Sequence, residues 1–198
     1  MVDVAQVEDA MIRPATPSDA RSLAELIEIA GGGIPGWLWS QMAEPGETPL
    51  DVGERRARRE QGGFSYRHAT VAEIGGAVAG MILAYRLDPV DEEEIAAAPD
   101  LVRPFLELER EVPGSFYINA FAVYEPYRGR GLGTRLVEAT FGHAAQAGCG
   151  TLSVQYFSQN PRAGAFYERH GFRFLAERKL AAHPACRYDD RTVLLVRG

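Results

Sequence analysis

The segment that most constrains this chain is a glycine-rich turn at residues 128–134, which reads Arg-Gly-Arg-Gly-Leu-Gly-Thr. It follows an apolar run at residues 116–123, typical of a strand, and opens an amphipathic helix predicted for residues 132–147. Three glycines in five residues leave backbone N–H groups uncovered, and the positive end of the helix dipole attracts negative charge. Arg128, Arg130 and Arg135 add cationic side chains. The turn therefore indicates a site for a pyrophosphate group.

A flexible basic turn that binds no ligand is the alternative, and a lone glycine-rich loop does not separate the two. A Walker loop would end in Gly-Lys-Ser/Thr, which this segment lacks. The dinucleotide fingerprint requires G-x-G-x-x-G, whereas Gly129, Gly131 and Gly133 give G-x-G-x-G. Neither of these nucleotide-binding classes fits the turn.

Two segments resemble the motifs of the GNAT superfamily of N-acetyltransferases. The first is that family's acyl-coenzyme A loop, Gln/Arg-x-x-Gly-x-Gly/Ala, which Arg128, Gly131 and Gly133 match after a lead-in at residues 122–127. The second segment lies downstream at residues 160–172. Because both motifs occur in the family's order, the resemblance implies an enzyme that uses acetyl-coenzyme A (acetyl-CoA) as acyl donor.

The predicted elements follow the order that this resemblance implies. Hydrophobic patterns and turn signals predict strands at residues 11–13, 67–74, 77–86, 115–123, 151–156, 172–180 and 192–196. Helices are predicted at residues 16–30, 52–61, 132–147 and 161–170. The fold class is α/β (α+β), with a mixed, mostly antiparallel sheet of about seven strands flanked by helices. In the family a splayed strand pair of this sheet binds acyl-CoA.

We expect a single domain over residues 1–198, since the chain shows no internal repeat or linker. The acyl-CoA-binding core is expected at about residues 115–180, and the half that chooses the acceptor at about residues 11–114. The sequence shows no secretory signal and no membrane-spanning run, so a cytoplasmic protein without a membrane partner is expected. Relatives in the family are often dimers, which makes a homodimer an expectation from resemblance.

The net charge of −6 argues against a nucleic-acid partner. Residues 88–111 hold nine acids and two arginines, or −7, so the whole acidic excess lies in this acidic segment. It either attracts a cationic amine to the acceptor cleft or is a solvated insertion. Cys149 and Cys186 are expected as reduced thiols, and no spacing indicates a metal site. Cys149 is more readily explained as a small buried residue than as an acyl carrier, which favours direct transfer.

The resemblance assigns roles to the strand before the turn and to the turn itself. The backbone of Phe121, Ala122 and Val123 would bind the pantetheine arm, with the Val123 N–H as donor to the oxyanion. A central strand without exposed donors is the alternative. The residues expected to bind the rest of the coenzyme are Arg128, Gly129, Arg130, Gly131, Leu132, Gly133 and Thr134.

Two residues of the downstream motif complete the expected site. Tyr167 would be the general acid that protonates the coenzyme's sulfur, since a phenol of pKa near 10 is protonated at neutral pH. A core aromatic is the alternative, because Ala163, Phe166, Tyr167 and His170 share a helical face. Asn160 would bond the pantetheine or departing thiol, or cap the helix that begins at Pro161.

The sequence does not single out a base for the amine. Many relatives carry a carboxylate on the fourth strand or relay the proton through water. This strand has no carboxylate, and its Asn119 is polar but not basic. The remaining candidates are Glu109, Glu111, His183 and Tyr188. The predicted function is transfer of acetyl to a primary amine in a ternary complex. The alternatives are a longer acyl chain or a non-catalytic acyl-CoA sensor.

Overall fold

The computed structural model describes residues 10–198, and within them seven strands form one sheet. The strands are β1 (Met11–Pro14), β2 (Ala69–Ile74), β3 (Ala77–Arg86), β4 (Phe116–Val123), β5 (Leu152–Phe157), β6 (Arg173–Lys179) and β7 (Arg191–Arg197). Their order in the sheet is β1-β2-β3-β4-β5-β7-β6. The pairs β1–β2, β2–β3, β5–β7 and β6–β7 are antiparallel, whereas β4–β5 is parallel. This confirms the mixed, mostly antiparallel α/β sheet expected from the sequence.

Helices connect the strands. They are α1 (Ala20–Gly31), α2 (Ile34–Ser40), α3 (Pro49–Ala57), α4 (Glu92–Ala97), α5 (Arg103–Glu109), α6 (Leu132–Gln146) and α7 (Pro161–Arg169). Helices α4 and α5 lie in the acidic segment, where the sequence patterns predict no element. They are six and seven residues long, too short to show a helical repeat of apolar positions.

The hairpin of β2 and β3 turns at Gly75 and Gly76, as their composition predicts. Their φ angles are +58° and +81°, and a tight two-residue hairpin turn with positive φ at both positions favours glycine. Strand β4 pairs with β5 from Phe116–Leu152 to Ile118–Val154, near the start of β4. The parallel pairs that the structure describes therefore end five residues before β4 ends at Val123.

The chain divides into two compact units, of which the first contains residues 10–84 and 120–143. Its core includes Leu23, Leu26 and Ile27 of α1, on the face that the sequence predicts to be apolar. From α6 it includes the predicted buried stripe of Leu132, Leu136, Val137 and Thr140. Trp39 is also buried here, so this tryptophan is a core residue.

The second unit contains Tyr85–Asn119 and Ala144–Gly198. Its core includes a cluster of Leu87, Leu108, Val112, Tyr117 and Leu194. Helix α5 packs against β6 and β7, and Arg178 of β6 forms ion pairs with Glu107 and Glu111 at either side of the end of α5. These contacts hold the end of α5 in a fixed position beside β4.

Candidate active site

The glycine-rich turn lies in the first unit, between a 3-10 turn at Glu125–Tyr127 and the start of α6. Gly129 and Gly131 have φ angles of +74° and +81°, which residues with a Cβ rarely adopt. Apart from the glycine itself and its two chain neighbours, no heavy atom of residues 10–198 lies within 4 Å of the position that a Cβ would take at either glycine. Since the first N–H groups of a helix have no partner within it, the turn presents donors beside open space. This geometry suits an anion.

Two of the arginines predicted near the phosphate have bonds to backbone. Arg128 Nε donates to the carbonyl oxygen of Val123 at 2.8 Å, so this side chain ties the turn to the end of β4. Arg135 Nη2 donates to the carbonyl oxygen of Ala10 at 2.6 Å. A guanidinium has five N–H donors, so each side chain keeps donors for an anion after these bonds.

The end of β4 lies close to β3, and Gly80 makes this approach feasible. A Cβ at Gly80 would lie 2.9 Å from Val123 Cγ2 and 3.0 Å from the carbonyl oxygen of Ala122. The Tyr124 N–H, one residue after β4 ends, donates to the carbonyl oxygen of Ala79 in β3 at 3.0 Å. The contact between β3 and this part of the chain therefore extends beyond the end of β4. Sequence reasoning missed Gly80, whose only signal is a glycine inside a strand, which often marks close backbone approach.

Tyr124 fixes α1 beside the end of β4. Its hydroxyl donates to Glu25 Oε2 at 2.7 Å, and burial together with this carboxylate raises the pKa of Tyr124. The tyrosine belongs to the lead-in of the turn, but the sequence gives no indication that its partner lies 99 residues earlier.

Asn160 and Tyr167 lie in the second unit, on α7. Asn160 Oδ1 accepts the N–H of Ala163 at 3.4 Å, which is the capping role left open by the sequence. Tyr167 is buried, with its ring edge-on to Phe166 and Phe172 at centroid distances of 5.5 Å. Burial raises the pKa of Tyr167, so its hydroxyl keeps a proton at neutral pH. The ring is a core aromatic, and the hydroxyl retains the proton that a general acid requires.

A polar cluster in the second unit joins β3, α5, β4 and β5. We call it the Tyr117 cluster, and its members are Tyr85, Glu109, Tyr117, Asn119 and Gln155. The Tyr117 hydroxyl is hydrogen-bonded to the Glu109 carboxylate and accepts Gln155 Nε2 at 3.3 Å. Asn119 Nδ2 donates to the Tyr85 hydroxyl at 3.2 Å, and the two tyrosine rings meet edge to face. The cluster brings a carboxylate next to β4, which has none of its own.

The environment of Glu109 changes its acidity. Burial raises its pKa to about 7; the Tyr117 hydrogen bond opposes this rise, and the Glu94 carboxylate adds to it. Among the salt bridges of residues 10–198 none includes Glu109, although Glu107 and Glu111 both pair with Arg178. A carboxyl group with a pKa near neutrality can gain and lose a proton under physiological conditions.

The other residues considered as bases have structural partners. Glu111 pairs with Arg178 at 2.5 Å, and His183 Nδ1 accepts the Ala185 N–H at 3.1 Å. The Tyr188 ring stacks on Phe157 at a centroid distance of 4.3 Å. Glu109 is therefore distinguished from them by its burial and its pKa.

Within residues 10–198 no group of three or more His, Cys, Asp or Glu side chains is arranged to hold a metal ion. None of the helices described there is long and apolar enough to cross a membrane. Cys149 and Cys186 are free thiols, and both are buried.

A curated relative is similar to part of this chain. It is the spermine/spermidine N(1)-acetyltransferase of Bacillus subtilis (strain 168), 32% identical over 65 residues. The match covers 32% of this chain and 43% of the relative, so the chain spans less than half the length of that protein.

Solved acetyltransferases share the fold at low identity. The polyamine N-acetyltransferase of Drosophila melanogaster has a TM-score of 0.66 at 18% identity, covering 95% of this chain and 99% of its own. A GNAT family acetyltransferase from Elizabethkingia anophelis, solved with acetyl-CoA bound, has a TM-score of 0.56 at 14% identity, covering 96% and 98%.

The sequence model of the acetyltransferase (GNAT) family matches residues 36–172, which is more than half of the chain. This region includes the glycine-rich turn and the helix that carries Tyr167. The chain therefore belongs to the acetyltransferase (GNAT) family, whose members are acyl-CoA-dependent N-acyltransferases.

Proposed function

We propose that this protein transfers acetyl from acetyl-CoA to a primary amine by direct attack in a ternary complex. The observation that carries the proposal is the turn at residues 128–134. There two glycines in the left-handed conformation leave open space in front of the start of α6. A diphosphate is the part of acetyl-CoA that such a helix N-terminus binds best.

The donor is proposed to lie along the end of β4. Phe121, Ala122 and Val123 would bond the pantetheine arm through backbone groups, and residues 128–134 would bind the pyrophosphate. The end of the described β4–β5 pairs at Ile118 supports this, because a strand that loses its neighbour offers backbone groups to a ligand. Asn160 would contact the arm in addition to its cap.

Three groups are proposed to carry the chemistry. The nitrogen lone pair of a neutral amine attacks the thioester carbon, and the Val123 N–H stabilises the oxyanion that forms. When the carbon–sulfur bond breaks, the Tyr167 hydroxyl gives its proton to the sulfur. The attacking nitrogen loses a proton, which returns through water to the tyrosinate, so that the products are a neutral amide and a thiol. The raised pKa of Tyr167 means that the phenol is protonated at neutral pH, as a proton donor must be.

We further propose that the acceptor is a small amine with more than one positive charge. The short stretch shared with the Bacillus subtilis spermine/spermidine acetyltransferase supports this class. The exposed carboxylates Glu92, Glu93 and Glu94 at the start of α4 support it too, since they would attract a polycation.

Calorimetry with acetyl-CoA tests the donor site, comparing wild type with Gly131→Glu. The variant places bulk and like charge in the turn and should lose binding. Gly46→Glu is the matched control, because Gly46 is also an exposed glycine with positive φ and open space, but lies far along the chain from the turn. The control should retain wild-type affinity.

Absence of binding by folded wild-type protein would overturn the proposal. Binding without acetylation of any member of a primary-amine panel would instead indicate an acyl-CoA sensor. Preference for longer thioesters would indicate transfer of a longer acyl chain.

A further inference from the structure

We infer that the Glu109 carboxylate accepts the proton of the acceptor's ammonium, with Tyr117 and Gln155 as the residues that position it. The inference rests on the proposed function and supplies the base that β4 lacks. It would place this group on α5, a short helix of the acidic segment, rather than on the sheet.

Hydrogen bonds fix the orientation of each member of this arrangement. Gln155 Nε2 donates to the carbonyl oxygen of Phe105 at 3.1 Å, and Gln155 Oε1 accepts the Thr192 hydroxyl at 3.1 Å. These two bonds determine which end of the amide faces Tyr117. Because the Tyr117 oxygen accepts from Gln155, its own proton is directed at Glu109. One oxygen lone pair of the carboxylate is thereby occupied, and others remain for the amine.

Among residues 10–198, no ion pair gives Glu109 a cationic partner. Helix α4 contributes Glu94, β3 contributes Tyr85 and β4 contributes Tyr117, none of which is cationic at neutral pH. From β6 the cation is Arg178, which is shared by Glu107 and Glu111. Strand β7 contributes Leu194, which packs in the apolar cluster with Leu108 and Tyr117 and carries no charge.

Arg110, just after the end of α5, also has an acidic partner. Arg110, next to Glu109 in the chain, pairs with Glu92. A purely structural carboxylate in such a position would be expected to have a positive partner, since burial of an unpaired charge is costly. An incoming ammonium would supply that partner, and this is the state from which a proton is transferred.

Tyr117 lies on the same strand, β4, as the backbone proposed to bind the acyl donor. Side chains two residues apart along a strand lie on one face, so Tyr117, Asn119, Phe121 and Val123 share a face of β4. The last two belong to the backbone stretch to which the proposed function assigns the acyl donor.

The proton step balances without any further reactant. An alkylammonium with a pKa near 10 is protonated at neutral pH and has no lone pair for attack. One N–H bond breaks, an O–H bond forms on the Glu109 carboxylate, and the electron pair stays on nitrogen. After transfer, the protonated carboxyl group releases its proton to water.

The test measures kcat/KM against pH for wild type, Glu109→Gln and Glu107→Gln, with spermidine and a panel of other primary amines as acceptors. Glutamine keeps the size of the side chain and an acceptor for the Tyr117 hydroxyl. Wild type should lose activity as the pH falls through about 7, where Glu109 becomes protonated. Glu109→Gln should lower kcat/KM by a factor of about 10² to 10⁴ and should abolish this acid limb. Glu107→Gln should keep the limb.

Calorimetry of the same variants with acetyl-CoA separates this inference from the proposed function. Unchanged acetyl-CoA affinity in Glu109→Gln with loss of the acid limb supports Glu109 as the base. Wild-type turnover with the acid limb still present in Glu109→Gln overturns the inference and leaves the proposed function intact. A wild-type protein that acetylates no amine in the panel overturns both.

Discussion

The glycine-rich turn and the Tyr117 cluster prepare this protein for chemistry in opposite ways. The turn offers backbone N–H groups and open space, and its defining residues are glycines without side chains. The cluster offers side chains whose acidity depends on burial, and its members come from positions 85, 109, 117, 119 and 155. The proposed recognition of an anion therefore depends on local conformation. The proposed proton transfer depends on contacts between distant parts of the chain.

This difference has consequences for mutational tolerance. In the turn, the non-glycine residues can be substituted while the backbone N–H groups remain. In the cluster, a change that removes a hydrogen-bonding group leaves its partner unsatisfied, at a cost of about 1–3 kcal/mol where that partner is buried. The following predictions test whether the two regions really differ in this way.

The largest effect is expected for Tyr167→Phe. The substitution removes the hydroxyl and keeps the ring that packs on Phe166 and Phe172. If the buried hydroxyl supplies the proton for the sulfur, kcat should fall by a factor of about 10² to 10⁴. Release of coenzyme A thiol in an acetylation assay measures this, with acetyl-CoA affinity as the control for a preserved donor site. A kcat within twofold of wild type would leave Tyr167 with a packing role alone.

The second prediction concerns the stability of Glu109→Gln. The pKa of Glu109 is about 7 in the folded state and near 4.3 when unfolded, so the folded protein binds the extra proton between these values. Stability should therefore fall as the pH rises from about 4 to about 7, because the buried carboxylate is then charged. At pH 8 the glutamine variant should be more stable than wild type by up to about 3 kcal/mol.

Urea unfolding at pH 4 and pH 8 measures this difference, which should shrink at the lower pH. Glu107→Gln is the control, since it loses only a surface ion pair with Arg178, worth about 0–1 kcal/mol. A glutamine variant that is less stable than wild type at pH 8 would mean that the Glu109 charge is compensated in the folded state. The cluster would then have a structural role, and Glu109 would not be suited to accept a proton near neutral pH.

The third prediction concerns Gly80→Ala, which tests the backbone side of the comparison. The added methyl would lie 2.9 Å from Val123 Cγ2 and 3.0 Å from the Ala122 carbonyl oxygen, so β3 and the end of β4 must separate. We expect a loss of about 1–3 kcal/mol in stability and a weaker affinity for acetyl-CoA. Gly150→Ala is the control, because nothing lies within 4 Å of its Cβ position. Equal behaviour of the two variants would show that the spacing of these strands does not matter.

Most of the fold could be predicted because its elements carry local signals. The buried stripe of α6, the Gly75-Gly76 turn and the strand order along the chain each depend on periodicity or turn chemistry within a few residues. Helices α4 and α5 could not be predicted in this way. Their position depends on pairs such as Arg178 with Glu107, which are 71 residues apart in the sequence.

The candidate site also has a part that local sequence signals predict and a part that depends on long-range contacts. The turn follows from its glycine spacing and from the family resemblance, and the Tyr167 role stays a prediction from that resemblance. Glu109 is one of four candidate bases in the sequence, and no neighbouring residue or motif in the sequence separates it from the other three. Only its burial next to Tyr117 distinguishes it, because a pKa depends on the surroundings in three dimensions.

The smallest effect is expected from neutralising the exposed start of α4, with Glu92, Glu93 and Glu94 changed to glutamine. These carboxylates are exposed, so they would act on a polycationic acceptor through long-range attraction rather than contact. The KM for spermidine should rise about two- to threefold at low salt, and the rise should vanish near 1 M salt, where the screening length is about 3 Å. A monoamine of lower charge should respond less. If the KM for spermidine does not change at low salt, the acidic segment is a solvated surface, and discrimination among acceptors must then reside in buried groups.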